Sequence, residues 1–256
     1  MIPLPLVLTL VLQGTTPKAE QDDDTKDLPV QDLRCGKNEK QRYFLIGPRK
    51  EAKTPKDGFG LLVVMPGGDG SAEFHPFVKN IALHGAGDSF LTAQLVSVKW
   101  KPDQTIIWPT KGNPVPKMEF TTEEFAEAVI AEGRKTQKID PERIYTLSWS
   151  SSGPAAYAIS LREKTPVRGS FIAMSVFHPN ELGSLKSAAG RAYYLLHSPE
   201  DKTCPFRDSE EALKALEKAG AKATLEKYEG GHGWNGPVFP MIKKGLAWLD
   251  ESRKKK

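Results

Sequence analysis

Residues 143–159 constrain the fold more than any other stretch, because they predict a strand, a sharp turn and a helix in immediate succession. Residues 143–147, Arg-Ile-Tyr-Thr-Leu, have the apolar character of a buried strand, and residues 154–159, Pro-Ala-Ala-Tyr-Ala-Ile, are typical of a helix. Ser-Trp-Ser-Ser-Ser-Gly lies between them at residues 148–153. The chain is therefore expected to carry a serine at the apex of a tight strand-to-helix turn.

The serines of this turn allow more than one register. A nucleophile at such an apex needs very small residues two positions before and two positions after it, and glycine is usual at both. With Ser150 at the apex these positions hold Ser148 and Ser152, whereas with Ser151 at the apex Trp149 would collide with the neighbouring strand. Ser150 is therefore the favoured nucleophile. A strand followed by an ordinary N-capped helix is the alternative, and partners elsewhere in the chain must decide.

Two further predicted strands end near residues that would complete a catalytic group. Residues 192–197 lead into Asp201, and residues 223–228 lead into His232, which lies among glycines. A serine hydroxyl becomes a good nucleophile when an imidazole takes its proton, and the imidazole needs a carboxylate to orient it. Taken singly, the aspartate is explained as a turn former and the histidine as a loop residue. With Ser150 they predict a Ser-Asp-His triad at the carboxyl ends of strands, where an open α/β sheet places its chemistry.

A glycine-rich turn supplies candidate donors for an oxyanion. Residues 61–65, Leu-Leu-Val-Val-Met, form an apolar run typical of a strand in a parallel sheet, and Pro-Gly-Gly-Asp-Gly follows at residues 66–70. Glycines allow backbone amides to point into a site. We assign the oxyanion hole to the amides of Gly68 or Asp69 together with that of Ser151. A tight strand-to-helix connection would explain the same glycines.

Four other side chains near these motifs are assigned to packing or to the site. Trp108, Trp149 and Trp234 are favoured as ordinary packing residues, with a wall for an aromatic, sugar or acyl group as the alternative. His197 ends the strand that precedes the predicted acid, and we expect it to be structural.

Strand and helix signals alternate along the body of the chain, which favours a mainly parallel sheet with helices on both faces. Thr-Thr-Glu-Glu at residues 121–124 predicts a capping box that opens a helix to about Thr136. Asp208 is the predicted N-cap of a later helix. A strand is expected near residues 93–100, and the last helix over residues 238–251.

Four segments of the chain are similar to serine esterases of the α/β-hydrolase superfamily. The similarity is to the polyhydroxybutyrate depolymerase, feruloyl or acetylxylan esterase-like and phospholipase/carboxylesterase groups. Residues 63–70 resemble the family's strand followed by His-Gly-Gly-Gly, and residues 140–145 resemble the run into its nucleophile turn. Residues 197–205 resemble its His-Gly with an aspartate three residues before Val-Pro, which maps the acid onto Asp201. Residues 230–234 resemble its terminal histidine loop.

The resemblance covers about residues 40–250 and implies a function. It implies an α/β-hydrolase fold and a serine hydrolase that cleaves carboxylic esters through an acyl-enzyme, without a metal or organic cofactor. The expected substrate is a small-molecule or polymer-borne ester. A peptidase or thioesterase of the same fold is one alternative, and a catalytically silent binding protein on this fold is another. The acyl and alcohol preferences and the oligomeric state stay unassigned.

Length, composition and charge agree with a globular domain that does not bind nucleic acid. The 256 residues are 39% hydrophobic, which suffices for a sizeable core. The net charge of +4 equals the contribution of Arg-Lys-Lys-Lys at residues 253–256, and no basic stripe with interleaved aromatic residues occurs.

The N-terminal residues predict export. Residues 2–12 form an apolar stretch that is too short to cross a bilayer but suits the core of a signal peptide. We therefore expect a signal peptide at residues 1–14, a polar leader at 15–40 and one hydrolase domain at 41–253. The protein is accordingly predicted to be secreted or periplasmic, without stable membrane insertion.

Cys35 and Cys204 are the two cysteines of the chain. Their separation in sequence gives no geometric test of a bridge, so a disulfide and two free thiols both stay open.

Overall fold

A twisted eight-stranded sheet organises the part of the chain that the computed structural model describes, residues 23–253. The strands are β1 (Val30–Arg34), β2 (Arg42–Ile46), β3 (Phe59–Met65), β4 (Phe90–Leu95), β5 (Ile139–Trp149), β6 (Gly169–Ala173), β7 (Ala192–His197) and β8 (Lys222–Lys227). Their order across the sheet is β1-β2-β4-β3-β5-β6-β7-β8. The pairs β1/β2 and β2/β4 are antiparallel, and every other neighbouring pair is parallel. The predicted mainly parallel α/β sheet is confirmed.

Helices cover both faces of this sheet. They are α1 (His75–Asn80), α2 (Thr122–Thr136), α3 (Gly153–Ser160), α4 (Phe206–Lys218) and α5 (Val238–Arg253). A π-helical segment, Ile81–Ala86, continues α1. Single 3-10 turns occur at Asp23–Thr25, Ala72–Phe74, Ser150–Ser152, Pro179–Glu181 and Leu185–Ala188.

The pleat of β3 explains how the core is divided. Successive side chains of a strand point to opposite faces, and every residue of β3 is buried, so its apolar run serves two layers. Leu61 and Val63 pack in the cluster that includes α2, α3 and α4. Leu62 and Val64 pack in the cluster that includes α1, the π-helical segment and α5. The carboxyl ends of the parallel strands lie between these two layers at one edge of the sheet.

Several predicted boundaries hold and two differ. The capping box of α2 is confirmed, because Glu124 donates its amide to the Thr121 hydroxyl and accepts the Thr121 amide in return. β4 lies earlier than the predicted 93–100, since the chain leaves the sheet after Leu95. The prediction that Asp208 caps α4 is wrong: the helix begins at Phe206 after Pro205, and Asp208 lies within its first turn. A carboxylate at that position stabilises the positive end of the helix dipole.

Part of the segment expected to be a polar leader belongs to the sheet. β1 lies within residues 15–40 and pairs with β2, with Val30 opposite Ile46 and Arg34 opposite Arg42. Its side chains are largely exposed because it is an edge strand, so its sequence has little apolar periodicity. The domain boundary predicted at residue 41 falls between β1 and β2.

The predicted signal peptide at residues 1–14 lies outside the described residues. Within residues 23–253, none of the helices has both the length and the apolar character that spanning a bilayer requires.

Candidate active site

The backbone turns sharply at Ser150, directly after β5. Ser150 has φ of +54°, in the left-handed region that side chains other than glycine rarely adopt. Such strain persists only where the surroundings enforce it. The Ser175 hydroxyl donates to the Ser150 carbonyl at 2.6 Å, and a Cβ at Gly153 would lie 2.0 Å from the same hydroxyl. The turn therefore places a serine side chain, in a high-energy conformation, at the carboxyl end of a central strand.

The two serines that flank Ser150 are accommodated without glycine. Ser152 is fully buried, and its hydroxyl donates to the Met65 carbonyl at 2.7 Å and accepts the Trp149 amide at 3.0 Å. Ser148 is also fully buried, and its hydroxyl has no hydrogen-bond partner within residues 23–253. A hydroxymethyl group therefore fits at both positions, and at Ser152 it links β5 to β3.

The structure brings Ser150, His232 and Asp201 into one hydrogen-bonded chain. Ser150 Oγ lies 3.0 Å from His232 Nε2, and His232 Nδ1 lies 2.8 Å from Asp201 Oδ2. The carboxylate accepts, so Nδ1 carries the proton and Nε2 is left to accept from the serine hydroxyl. His232 and Ser150 are partly exposed, whereas the Asp201 side chain is buried. The serine is thus reachable from solvent and the acid is not.

Hydrogen bonds keep Asp201 ionised despite its burial. Burial pushes the pKa of this carboxyl group upwards, but the hydrogen bond from His232 and the amides of Cys204 and Thr203 outweigh it, and the pKa lies below 3.8. Both amides donate to Oδ1 at 2.8 Å. Asp201 therefore presents a fixed negative charge to the imidazole.

A second histidine contacts the same carboxylate. His197 is fully buried, and its Nε2 lies 3.0 Å from Asp201 Oδ2, while its Nδ1 lies 2.7 Å from the Ser209 hydroxyl. Burial lowers the pKa of this imidazole below 6.5. Sequence reasoning missed the contact with Asp201, and the available signal was the spacing of four residues between a strand-end histidine and the acid.

The glycine-rich loop at residues 66–70 lies against the Ser150 turn. The Ser151 hydroxyl donates to the Gly68 carbonyl at 2.8 Å, and the Ser97 hydroxyl donates to the Asp69 carbonyl at 2.5 Å. Gly68 has φ of +58°. Within the described part of the chain, the amides of Gly68 and Asp69 donate no hydrogen bond. The loop is therefore held through its carbonyl groups, and these two amides are free to bind an anion.

The three tryptophans differ in their burial. Trp108 is 4% exposed and donates Nε1–H to the Pro66 carbonyl at 2.9 Å, beneath the glycine-rich loop. Trp149 is 5% exposed and packs edge-on against Phe74 and Trp234. Trp234 is only partly buried. Trp108 and Trp149 thus support the site from below, and Trp234 is the tryptophan with exposed surface.

Both cysteines are buried and free, so they do not form a disulfide. Burial raises the pKa of the Cys35 thiol to about 12 and that of the Cys204 thiol to about 11, which keeps both protonated. Within residues 23–253, one group of side chains has the spacing of a metal site: ligand atoms of Asp201, Cys204 and His232 lie within 4.8 Å of one another. A metal ion there would compete with the hydrogen bond between His232 and Asp201.

A groove of about 1450 Å³ lies elsewhere, between α2 and residues 180–191. Its lining carries charges of both signs, including Glu127 and Arg162, which form an ion pair. None of Ser150, Asp201 and His232 lines it. A serine hydroxyl meets an imidazole at Ser150 and His232, and both side chains are partly exposed, so we place the candidate chemistry there rather than in the groove.

Comparison with protein-family models gave no match, and comparison with curated protein sequences gave none either. Solved structures do resemble the chain. MGS-M1, an α/β-hydrolase enzyme from a Medee basin deep-sea metagenome library, is 12% identical, with a TM-score of 0.65 over 89% of this chain and 99% of that one. An esterase from Rhizomucor miehei is 13% identical, with a TM-score of 0.65 over 89% of this chain and 85% of its own.

Esterase 2 from the planctomycete Thermogutta terrifontis is also similar. Its propionate-bound form is 17% identical, with a TM-score of 0.59 over 89% of this chain and 94% of that one. The form phosphorylated by paraoxon, also 17% identical, has a TM-score of 0.57 over 89% of this chain and 93% of its own. The strand order, the turn at Ser150 and these likenesses agree, and the chain has the α/β-hydrolase fold.

Proposed function

We propose that the protein is a serine hydrolase that cleaves carboxylic esters through an acyl-enzyme. The observation that carries the proposal is the 3.0 Å contact between Ser150 Oγ and His232 Nε2 at a strained turn. A hydroxyl paired with an imidazole, which is itself paired with a buried carboxylate, is the arrangement that activates a serine. The esterases of similar fold support an ester as the substrate.

The mechanism follows from the hydrogen bonds. Ser150 Oγ attacks the ester carbonyl while His232 Nε2 takes its proton, and the Asp201 carboxylate stabilises the resulting imidazolium. The amides of Ser151 and of Gly68 or Asp69 hold the oxyanion of the tetrahedral intermediate. His232 then protonates the leaving alcohol, and the acyl-enzyme forms.

Deacylation repeats these steps with water as the nucleophile. His232 takes a proton from the water as it attacks the acyl carbonyl, and the carboxylic acid leaves as Ser150 regains its proton. Partial exposure of Ser150 and His232 gives the water access. The same exposure is compatible with a small-molecule or polymer-borne ester, and we expect the protein to act in the extracellular or periplasmic space.

The test is covalent labelling of the purified protein with a fluorophosphonate probe and with paraoxon, alongside hydrolysis of short-chain nitrophenyl esters. We expect the wild type to gain one probe adduct, located by peptide mapping at Ser150. Ser150→Ala should lose labelling and lower kcat by on the order of 10⁶-fold, since it removes the nucleophile. Nitroanilide and thioester analogues with the same acyl group separate an esterase from a peptidase or a thioesterase.

Ser151→Ala is the matched control, because it removes a neighbouring hydroxyl but keeps the backbone amide. It loses the hydrogen bond to Gly68 O, so we expect slower turnover with labelling retained. Labelling that disappears in Ser151→Ala and persists in Ser150→Ala would reassign the nucleophile. A folded wild type that takes up neither probe would contradict the proposal and favour a silent binding protein.

A further inference from the structure

Asp201 Oδ2 accepts hydrogen bonds from two histidines, and the mechanism above uses one of them. His232 Nδ1 lies 2.8 Å from this oxygen and His197 Nε2 lies 3.0 Å from it. His197 is the last residue of β7 and is 0% exposed. A fully buried imidazole in direct contact with the triad acid therefore needs an explanation of its own.

The surroundings of His197 fix its tautomer. Nε2 lies 3.0 Å from Asp201 Oδ2 and 3.1 Å from the Cys204 carbonyl oxygen, and both atoms accept hydrogen bonds but do not donate them. Nε2 must therefore carry the hydrogen. Nδ1 is left with a lone pair, which accepts the Ser209 hydroxyl at 2.7 Å. Ser209 lies in α4 and is buried.

Each oxygen of the Asp201 carboxylate thus has two donors, but these donors differ in what holds them. Oδ1 accepts the amides of Thr203 and Cys204, which belong to the same loop as Asp201 and move with it. Oδ2 accepts from His232, which is in another loop, and from His197, which is in the sheet. His197 is therefore the donor that ties the carboxylate to a rigid element, and Ser209 extends that tie to α4.

We propose that His197 is a positioning residue that holds Asp201 Oδ2 towards His232 through its Nε2–H, with Ser209 fixing the tautomer that makes this possible. The expected effect on kcat rests on the proposed function, because a displaced Asp201 slows turnover only if His232 acts as the catalytic base. The geometric consequence, a change in the hydrogen bond between His232 and Asp201, does not rest on it.

A matched pair of variants separates positioning from packing. The side-chain amide of glutamine reaches about as far as Nε2, so His197→Gln keeps a donor for Asp201. The amide of asparagine reaches about as far as Nδ1, so His197→Asn keeps the contact with Ser209 and loses the one with Asp201. Both variants replace a buried ring by a buried amide, so a purely structural role predicts similar losses in both.

We expect His197→Asn to lower kcat on ester substrates by about 10- to 100-fold with KM changed by less than about twofold, because the reacting groups are misaligned while substrate binding is untouched. His197→Gln should recover most of that loss. In His197→Asn the acid limb of the profile of kcat/KM against pH should also move to higher pH, since a carboxylate with one donor fewer favours imidazolium on His232. In His197→Gln the limb should stay near its wild-type position.

The low-field proton resonance of the hydrogen bond between His232 and Asp201 gives a readout that needs no turnover. It should shift or broaden in His197→Asn and return in His197→Gln. Equal loss of kcat in the two variants with the acid limb unmoved would overturn the proposal, as would a His197→Asn protein with wild-type kcat. If the wild type hydrolyses none of the substrates, the proposed function fails, and the positioning role is then tested by the proton resonance alone. An unchanged chemical shift of that resonance in His197→Asn would overturn the positioning role.

Discussion

At the scale of single residues, the four serines of the turn have four different environments. Ser150 faces His232, the Ser151 hydroxyl holds the Gly68 carbonyl, and Ser152 joins β5 to β3. The Ser148 hydroxyl is buried and has no partner within residues 23–253. Ser148 and Ser152, the two small residues that flank the turn at Ser150, thus satisfy the same steric demand but are expected to contribute differently to stability.

This difference can be measured with two substitutions of the same type. Ser152→Ala removes the partner of the Met65 carbonyl and the Trp149 amide, so we expect the free energy of unfolding to fall by about 1–3 kcal/mol. Ser148→Ala removes a hydroxyl that bonds to nothing described, and we expect it to be neutral or stabilising. Urea unfolding followed by tryptophan fluorescence measures both, and equal losses in the two variants would contradict the assignment.

The sequence suffices to select the three residues of the hydrogen-bonded Ser-His-Asp group, but it does not reveal the side chain that holds the aspartate. Ser150, Asp201 and His232 follow predicted strands, and parallel strands end at the same edge, so their proximity was predictable. The contact of His197 with Asp201 depends on how one short loop folds back on its own strand, and no periodicity encodes that. The catalytic role of Ser150, Asp201 and His232 stays a prediction until covalent labelling tests it.

At the scale of elements, a largely buried ion pair fastens β5 to α5, the last helix. Arg143 of β5 donates Nε–H and Nη2–H to the two carboxylate oxygens of Asp250 in α5, at 3.0 and 2.7 Å. Tyr145 donates its hydroxyl to the same carboxylate at 2.8 Å. The Arg143 guanidinium also lies over the ring of Phe90, 4.4 Å from its centroid. One aspartate therefore accepts hydrogen bonds from two side chains of β5.

Removing that carboxylate should loosen the packing of α5 on the sheet. Asp250→Ala leaves a mostly buried arginine and a tyrosine hydroxyl without their acceptor, so we expect a loss of about 2–3 kcal/mol in the free energy of unfolding. Asp250→Asn keeps an oxygen for one of these donors and should lose less. The measurement is chemical denaturation at neutral pH. An Asp250→Ala protein as stable as the wild type would show that the pair contributes nothing.

Elements with a strong apolar signal were predicted well, and those that depend on neighbours were not. β7 has the predicted bounds because its continuous apolar run leaves little ambiguity. β1 is polar and exposed and was missed, since its place in the sheet is set by pairing with β2 rather than by its own side chains. Aspartate favours both the N-cap and the first turn of a helix, so the sequence alone does not distinguish these two positions for Asp208.

At the scale of the whole molecule, a half-buried and a fully buried histidine make stability depend on pH. Burial lowers the pKa of His75 and of His197 below 6.5 in the folded protein. The unfolded chain therefore binds more protons as the pH falls below 6.5, and the folded state loses stability on acidification. Well above pH 6.5 both imidazoles are neutral in the folded and in the unfolded state, and this dependence vanishes.

As the pH is lowered from 6.5, we expect the free energy of unfolding to decrease by at most about 1.4 kcal/mol per pH unit for each histidine. His75→Gln and His197→Gln should each reduce the slope, and His178→Gln, at an exposed position, controls for the substitution. Denaturant titrations over a series of pH values supply the measurement. A stability that rises on acidification through this range would contradict the sign.

The two buried thiols bear on where the protein can fold. Cys35 packs among apolar side chains of the core, Cys204 lies in the loop that carries Asp201, and neither forms a disulfide. The described part of the chain therefore contains no covalent cross-link for a reductant to break. We therefore expect the same bonded state in a reducing cytoplasm and in an oxidising compartment, and the same free energy of unfolding with and without a reductant.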